Sequence, residues 1–128
     1  MRTLDGVSAE FLDFWTERRI CTLVTLRADG SPHVVPVGVT LDVEAGLARV
    51  ICRRGSVKAR NAAARGTAVV SQFEGGRWST LEGTAVVREN RESVAEAERR
   101  YAQRYRVPRE NPERVVVEIT VRRVLGLS

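Results

Sequence analysis

The feature that most constrains the fold of this chain is a series of short β-branched runs separated by turn signals. The first run, ICTLVTLR at residues 20–27, ends just before Asp29-Gly30, a dipeptide typical of tight hairpins. Similar apolar runs follow at 32–41, 47–53, 67–73, 78–89 and 113–126. We therefore predict six strands, joined mostly by hairpins, from the six runs.

Helical periodicity and capping residues appear at three places between these runs. A helix is predicted to begin after Ser8 and to run through FLDFWTERR. A short helix, VKARNAAAR, is predicted between a Ser56 cap and a closing Gly66. A longer charged helix is predicted to start at Asn90 or Ser93 and to reach about Tyr105. The predicted order is α-β-β-β-α-β-β-α-β, a mainly β protein with flanking helices.

So many hairpin-connected strands in 128 residues favour a closed or nearly closed antiparallel barrel, because closure removes exposed sheet edges. We expect one domain spanning residues 1–128. Pro36, inside the second run, indicates an edge or irregular position, since proline cannot donate a ladder hydrogen bond. A barrel of this size has a packed interior, so a sizeable ligand needs an external groove, which we expect at a subunit interface.

Composition and charge narrow the possible partners. The formal net charge of +5 suits nucleic acid, an acidic membrane surface or a polyanionic small molecule. The basic stretches lack interleaved aromatic residues, which argues against nucleic acid. No apolar run approaches the ~20 residues of a membrane span, and no secretory signal is apparent. Cys21 and Cys52 lie in apolar runs typical of reduced, buried thiols, so we expect a cytoplasmic protein. From the preceding observations we also expect that it binds neither nucleic acid nor membrane.

The residues available exclude most kinds of catalytic site that work without a cofactor. His33 is the only histidine and there is no CxxC, so we expect no Cys/His metal site. The motifs GxSxG, GxGxxG and GxxxxGK[ST] are all missing, and no strand carries paired carboxylates. Catalytic residues therefore stay unassigned. A sequence so poor in acid–base groups is compatible with a cofactor that carries the reaction while the protein positions it.

One segment has the character of an anion site. Lys58, the only lysine among 21 basic residues, lies in the first turn of the helix that Ser56 is predicted to cap. Arg53, Arg54 and Arg60 flank it. Free backbone N–H groups at a helix N-terminus together with nearby cations can bind phosphate. An ordinary capped helix with solvated charges remains the alternative interpretation of this segment.

Three stretches carry a resemblance to a known family: TLVTLRADGSPHVVPVGVTLD, RVICRRGSVKARNAAARG and VVSQFEGGRWSTLEGTAVV. They resemble the split β-barrel flavin and deazaflavin oxidoreductases, the pyridoxamine 5′-phosphate oxidase-like superfamily. The segments STLEG, ERRYAQRYRVPRENPERVVVEI and RVLG look like the actinobacterial F420-dependent biliverdin reductase group within it. The resemblance implies a six-stranded split barrel and a homodimer with two coenzyme grooves at its interface. The implied cofactor is coenzyme F420, with FMN as the alternative.

The resemblance also implies positions for the coenzyme. The ring would lie beside residues of two strands: His33, Val35, Pro36, Val37, Ile51 and Cys52. Ser56 and Lys58 would hold the phosphate, with Arg60 assisting one turn further on. Two pairs of residues would complete the groove: Arg53 and Arg54 toward the glutamate tail, and Gln72 and Trp78 from the other subunit. Packing alone is an equal alternative for Trp78, and a solvated turn is an equal alternative for His33.

The implied activity is hydride transfer from reduced deazaflavin to a conjugated acceptor, biliverdin or a similar tetrapyrrole or enone. Arg77 is a candidate to pair with carboxylates of that acceptor. Two other functions remain open from the sequence. One is a carrier that binds the deazaflavin or a tetrapyrrole without turnover. The other is an FMN-dependent enzyme of the pyridoxamine-phosphate oxidase type.

Overall fold

Three helices flank a single antiparallel sheet in the computed structural model, which describes residues 4–128. Residues 1–3 of the predicted domain lie outside the described residues. The helices are α1 (Ala9–Thr16), α2 (Val57–Arg65) and α3 (Arg91–Arg104). The seven strands are β1 (Cys21–Leu26), β2 (Pro32–Val37), β3 (Thr40–Asp42), β4 (Leu47–Arg53), β5 (Thr67–Glu74), β6 (Arg77–Arg88) and β7 (Arg114–Gly126).

The sheet curls strongly because its two edge strands are neighbours in the chain. The strand order is β2-β1-β5-β6-β7-β4-β3, so β2 and β3 stand at opposite edges. Only Gly38 and Val39 separate them in sequence, a span of at most ~11 Å between Val37 and Thr40 at 3.8 Å per residue. No ladder joins β2 to β3 among the described residues, so the sheet is left unclosed.

The predicted count of six strands is therefore wrong, and of the two predicted forms, closed or nearly closed, the fully closed barrel is wrong. The run 32–41 is two strands, interrupted at Gly38 where the chain passes under α3. A Cβ at Gly38 would lie 2.8 Å from Tyr101 Cε2 and 3.0 Å from Tyr105 Cε2, so only glycine fits there without repacking. The mainly β class and the antiparallel pairing are confirmed. The edge position predicted from Pro36 is also confirmed, because β2 ends the sheet.

The helix starts follow the capping residues in the sequence. Ser8 Oγ accepts a hydrogen bond from the Phe11 N–H at 3.1 Å, and Ser56 Oγ accepts one from the Ala59 N–H at 3.4 Å. Gly66 closes α2 in the left-handed conformation at φ +68°. α3 begins after Asn90, the earlier of the two predicted starts. α1 ends at Thr16, earlier than the predicted FLDFWTERR segment.

The core lies inside the curled sheet and under α1. Fully buried side chains come from most strands and from this helix; the largest are Trp15, Phe11, Phe14, Leu23, Leu81 and Ile119. Burying each such side chain stabilises the fold by about 1.5–3 kcal/mol relative to exposure. Because the interior is filled, binding surfaces are confined to the outside of the sheet and to its junctions with the helices.

Candidate functional site

An open cavity of about 330 Å³ lies where β2, β4, α2 and α3 meet, and it is called the basic groove below. The end of β2 and the end of β4 form its apolar wall, and the segment after α3 forms the opposite side. Its lining residues are Pro36, Val37, Gly38, Ile51, Cys52, Arg53, Lys58, Tyr101, Arg106, Pro108, Arg109, Asn111 and Arg114. The groove thus combines an apolar strand wall with a cationic rim.

The charge of the basic groove is entirely positive. Its lining contains Arg53, Lys58, Arg106, Arg109 and Arg114, and no carboxylate. Within residues 4–128, only Arg114 of these five has a salt-bridge partner, Glu98 Oε2 at 2.8 Å. Cations that lack counter-ions and share one concave surface attract and orient anions. The groove is therefore suited to a ligand with phosphate or carboxylate groups.

The first turn of α2 brings three predicted residues together. Ser56 is the N-cap of α2, and Lys58 lies half-buried in the first turn. Burial raises the pKa of the Cys52 thiol, against the opposing effects of a hydrogen bond with Ser56 and the charge of Lys58. The thiol is thus neutral near pH 7, and the Lys58 ammonium has no anionic partner among residues 4–128. This corner has the positive charge and free helix N–H groups that bind phosphate.

Several predicted residues do not line the basic groove in this chain. Val35 packs against the core cluster instead. Arg54 pairs with Glu89 at 2.8 Å and borders a separate depression. Arg60 is exposed on α2. His33 is half-buried and lies opposite Thr25, with its Nδ1 atom buried and without a hydrogen-bond partner among the described residues.

Gln72 is part of the interior. It is 2% exposed, its Oε1 accepts a hydrogen bond from Arg104 Nη2 at 2.7 Å, and its Nε2 donates to the Phe14 carbonyl at 3.0 Å. Arg104 is itself buried and donates to the carbonyls of Glu17 and Val39 at 3.0 and 2.7 Å. These bonds tie α3 to α1 and to the link between β2 and β3. Gln72 therefore does not face the basic groove of its own chain.

Trp78 lies on the outer surface at the β5–β6 hairpin. It is 49% exposed and pairs across the strands with Phe73, which is 74% exposed. Arg77, the candidate for acceptor carboxylates, is already engaged by Glu74 at 2.7 Å and stacks over Phe14 at 4.6 Å. The hairpin thus presents an apolar surface in which the neighbouring arginine is not free to bind an anion.

Comparison with protein-family models decides the family. The model of the family described as pyridoxamine 5′-phosphate oxidase matches residues 7–128, nearly the whole chain. The chain belongs to this family. The match confirms the resemblance that the three sequence stretches carry.

Within residues 4–128, no group of three or more His, Cys, Asp or Glu side chains lies close enough to hold a metal ion.

Among the family's characterised members, an F420H2-dependent biliverdin reductase of Mycobacterium tuberculosis (strain CDC 1551 / Oshkosh) is 52% identical over 126 residues. The alignment covers 98% of this chain and 92% of that protein. A conserved hypothetical protein of Mycobacterium tuberculosis has a similar fold, with a TM-score of 0.78, 23% identity and coverage of 97% and 88% of the two chains. An F420 reductase structure aligns with a TM-score of 0.72 and 19% identity over 94% and 96%. These two structures support the fold.

One side of the basic groove of this family member was not predicted from the sequence. Tyr101, Arg106, Pro108, Arg109, Asn111 and Arg114 all come from α3 and the segment that leads to β7. The available signal was RYAQRYRVPRENPER, which combines clustered arginines with two prolines in a predicted loop. The sequence carries no indication that this segment folds back against β4 and α2, because that placement depends on contacts between residues far apart in the chain.

Proposed function

We propose that this protein is an F420H2-dependent oxidoreductase that reduces a conjugated acceptor of the biliverdin type. The observation that carries the proposal is the 52% identity, over 98% of the chain, to an F420H2-dependent biliverdin reductase. The F420 reductase among the structural relatives agrees with it in fold. The basic groove supplies a surface of the right chemistry for a coenzyme that carries a phosphate and a glutamate tail.

The groove residues fit such a coenzyme group by group. Lys58 and the Ser56 cap suit the phosphate, because a compact ammonium and free N–H groups meet at the start of α2. Arg53 suits the carboxylates of the tail. The apolar wall of Pro36, Val37, Ile51 and Cys52 suits one edge of a flat ring.

When bound, the coenzyme would supply the hydride, and the residues of this chain would position it. The β2 and β4 wall would cover one edge of the ring, and the cationic rim would lower the energy of negative charge that develops nearby. Burial keeps the proton on Cys52 Sγ, so this thiol packs as a neutral group. No acid–base side chain in the groove is assigned a catalytic role. Solvent would then supply the proton to the acceptor, or an arginine would stabilise the negative charge that develops on it.

We further propose the homodimer that the resemblance implies. Exposed Phe73 and Trp78 support it, because large aromatic side chains on a protein surface mark interaction sites. Trp78 would then approach a groove only through the partner subunit. A cytoplasmic location also stays a prediction, supported by the free, buried cysteines Cys21 and Cys52. No helix within residues 4–128 is long and apolar enough to cross a membrane.

The proposed function is tested by binding and turnover in one sample. The purified protein is titrated with oxidised F420 and with FMN, and the fluorescence of Trp15, Trp78 and the ligand is followed. Biliverdin is then added to the complex with reduced F420 while its long-wavelength absorbance is recorded. We expect micromolar F420 binding and loss of that absorbance. A preference for FMN would replace F420 by the flavin alternative, and F420 binding without bilin reduction would favour the carrier.

A further inference from the structure

A second surface cavity, of about 410 Å³, lies next to the basic groove. It is lined by Arg18, Arg19, Ile20, Tyr101, Tyr105 and Arg106, and it is called the tyrosine pocket below. It shares Tyr101 and Arg106 with the basic groove, so the two cavities adjoin at these side chains. A ligand in the tyrosine pocket would therefore lie beside a ligand in the groove.

The floor of the tyrosine pocket is aromatic and apolar. The rings of Tyr101 and Tyr105 lie 4.9 Å apart with an interplanar angle of 30°. The Tyr105 hydroxyl donates to the Arg19 carbonyl at 2.7 Å, which fixes its ring. Burial raises the pKa of Tyr105 well above its ordinary value, so the ring stays uncharged. Ile20 is 67% exposed beside this pair, an apolar surface that a flat conjugated ligand would cover.

The three arginines of the tyrosine pocket differ in whether a carboxylate pairs with them. Arg19 is held by Glu17 at 2.9 Å and Glu74 at 2.7 Å. Arg18 and Arg106 are exposed, and neither has a carboxylate partner within residues 4–128. No carboxylate lines the pocket. Two free guanidinium groups around an aromatic floor match a ligand that carries two carboxylates on an extended conjugated system.

We infer that the tyrosine pocket is the acceptor subsite and binds an extended conjugated dicarboxylate. Its conjugated system lies on Ile20 and Tyr101, and its carboxylates pair with Arg18 and Arg106. The inference rests on the proposed function for the identity of the acceptor. It goes beyond that function by assigning the acceptor to residues outside the basic groove and by replacing Arg77 as the carboxylate partner.

The test measures binding of biliverdin to the protein without coenzyme, followed by bilin absorbance, and F420 binding is measured separately. Arg18→Gln is the decisive variant, because Arg18 does not line the basic groove. Arg122→Gln is the matched control, an exposed arginine on β7 outside both cavities. We expect Arg18→Gln to raise the Kd for biliverdin about 1.5- to fivefold, the range for one solvent-exposed ion pair, and to leave the Kd for F420 unchanged.

Two further measurements separate charge from packing. Arg106→Gln is also expected to weaken biliverdin binding about 1.5- to fivefold. Biliverdin dimethyl ester, which lacks the carboxylates, is expected to bind the natural protein more weakly than biliverdin and to be indifferent to Arg18→Gln. Both results together would assign the carboxylates to these arginines.

The subsite would be overturned if Arg18→Gln bound biliverdin as the Arg122→Gln control does, or if the natural protein bound no biliverdin with or without F420. Either result leaves F420 binding, and hence the coenzyme part of the proposed function, standing. Conversely, Arg18-dependent bilin binding without any F420 binding would overturn the proposed function and support the subsite.

Discussion

At the scale of single residues, Lys58 is the position where sequence and structure meet most directly. It is the only lysine of a chain with 21 basic residues, and the structure places it half-buried in the wall of the basic groove. The neighbouring Cys52 thiol is neutral, so nothing in this corner balances the ammonium. A compact charge at the start of a helix suits a phosphate, whereas the planar guanidinium fork suits carboxylates better.

Lys58→Ala is expected to weaken F420 binding by about 1.5–3 kcal/mol, the scale of a lost charged hydrogen bond, or roughly ten- to 150-fold in Kd. Fluorescence titration with oxidised F420 measures the change. Arg65→Ala, at the other end of α2, is the matched control and should leave the Kd unchanged. An unaltered Kd for Lys58→Ala would remove this residue from the coenzyme site.

Gly38 is a second residue whose identity is fixed by its surroundings. Gly38→Ala would place a Cβ 2.8 Å from Tyr101 Cε2, and overpacking of this kind costs about 1–3 kcal/mol of unfolding free energy. Urea unfolding measures the loss. Gly76→Ala is the control, because a Cβ there meets nothing within 4 Å and the glycine has no positive φ. Equal stability of the two variants would contradict the close approach of α3 to the β2–β3 link.

At the scale of elements, the β3–β4 hairpin is tied to α3 by a buried carboxylate. Asp42 is 8% exposed and accepts hydrogen bonds from Arg49 Nη1 at 2.9 Å and from the Ala45 N–H at 3.1 Å. Arg100 of α3 adds a salt bridge at 3.2 Å. Burial raises the pKa of Asp42, but these partners outweigh burial, and the net pKa lies below the ordinary value of 3.8. The charged form is therefore the one that holds the elements together.

Asp42→Asn is expected to lower the free energy of unfolding by about 1–3 kcal/mol at pH 7, because Arg49 and Arg100 each lose one carboxylate partner and keep only Glu118 and Glu96, respectively. A folded pKa below the unfolded value means that the carboxylate stabilises the fold above about pH 4 and ceases to do so as the pH falls through the folded pKa. The difference in unfolding free energy between Asp42→Asn and the natural protein should thus shrink toward zero in acid. Urea unfolding between pH 7 and pH 3 measures it.

The exposed Asp13→Asn is the control for that series, since the Asp13 carboxylate has no hydrogen-bond or salt-bridge partner in the described chain. Its effect on stability should be small at every pH. A constant destabilisation by Asp42→Asn down to pH 3 would show that the amide disturbs packing and that the carboxylate charge contributes little.

At the scale of the whole molecule, the aromatic surface of the β5–β6 hairpin lies apart from the basic groove of the same chain. Phe73 and Trp78 expose large apolar area on the β5–β6 hairpin and do not line the groove of their own chain. In the proposed homodimer, this surface is covered by the partner subunit. Assembly would then remove an aromatic patch from water, which favours association.

Trp78→Glu is expected to raise the dissociation constant of the proposed homodimer at least about tenfold, because it places a charge in a surface that association dehydrates. Sedimentation equilibrium measures the change. Val107→Asp serves as the control, since Val107 is 81% exposed but lies after α3, away from the hairpin. A natural protein that is monomeric at tens of micromolar would contradict the homodimer itself.

Local signals predicted much of the fold. Ser8 and Ser56 begin helices and Gly66 ends one, each through a contact with a residue three or four positions away, so their effect can be inferred from the neighbouring sequence. The β-branched runs predicted the strands for the same reason, and Pro36 predicted an edge because its missing N–H is a property of the residue alone. The six-stranded count failed at Gly38, against which Tyr101 of α3 and Tyr105 just after α3 pack.

The site was only partly predictable from sequence. The candidate residues at the start of α2 could be named from the sequence, since a helix N-terminus beside a lone lysine is a local pattern, and those at the ends of β2 and β4 were implied by the family resemblance. The hydrogen bond of Gln72 to Arg104 in the interior, and the placement of Arg106, Arg109 and Arg114 along the groove, could be seen only in the folded chain. Those outcomes depend on how distant segments pack, because side chains far apart in the chain meet only after the sheet has curled.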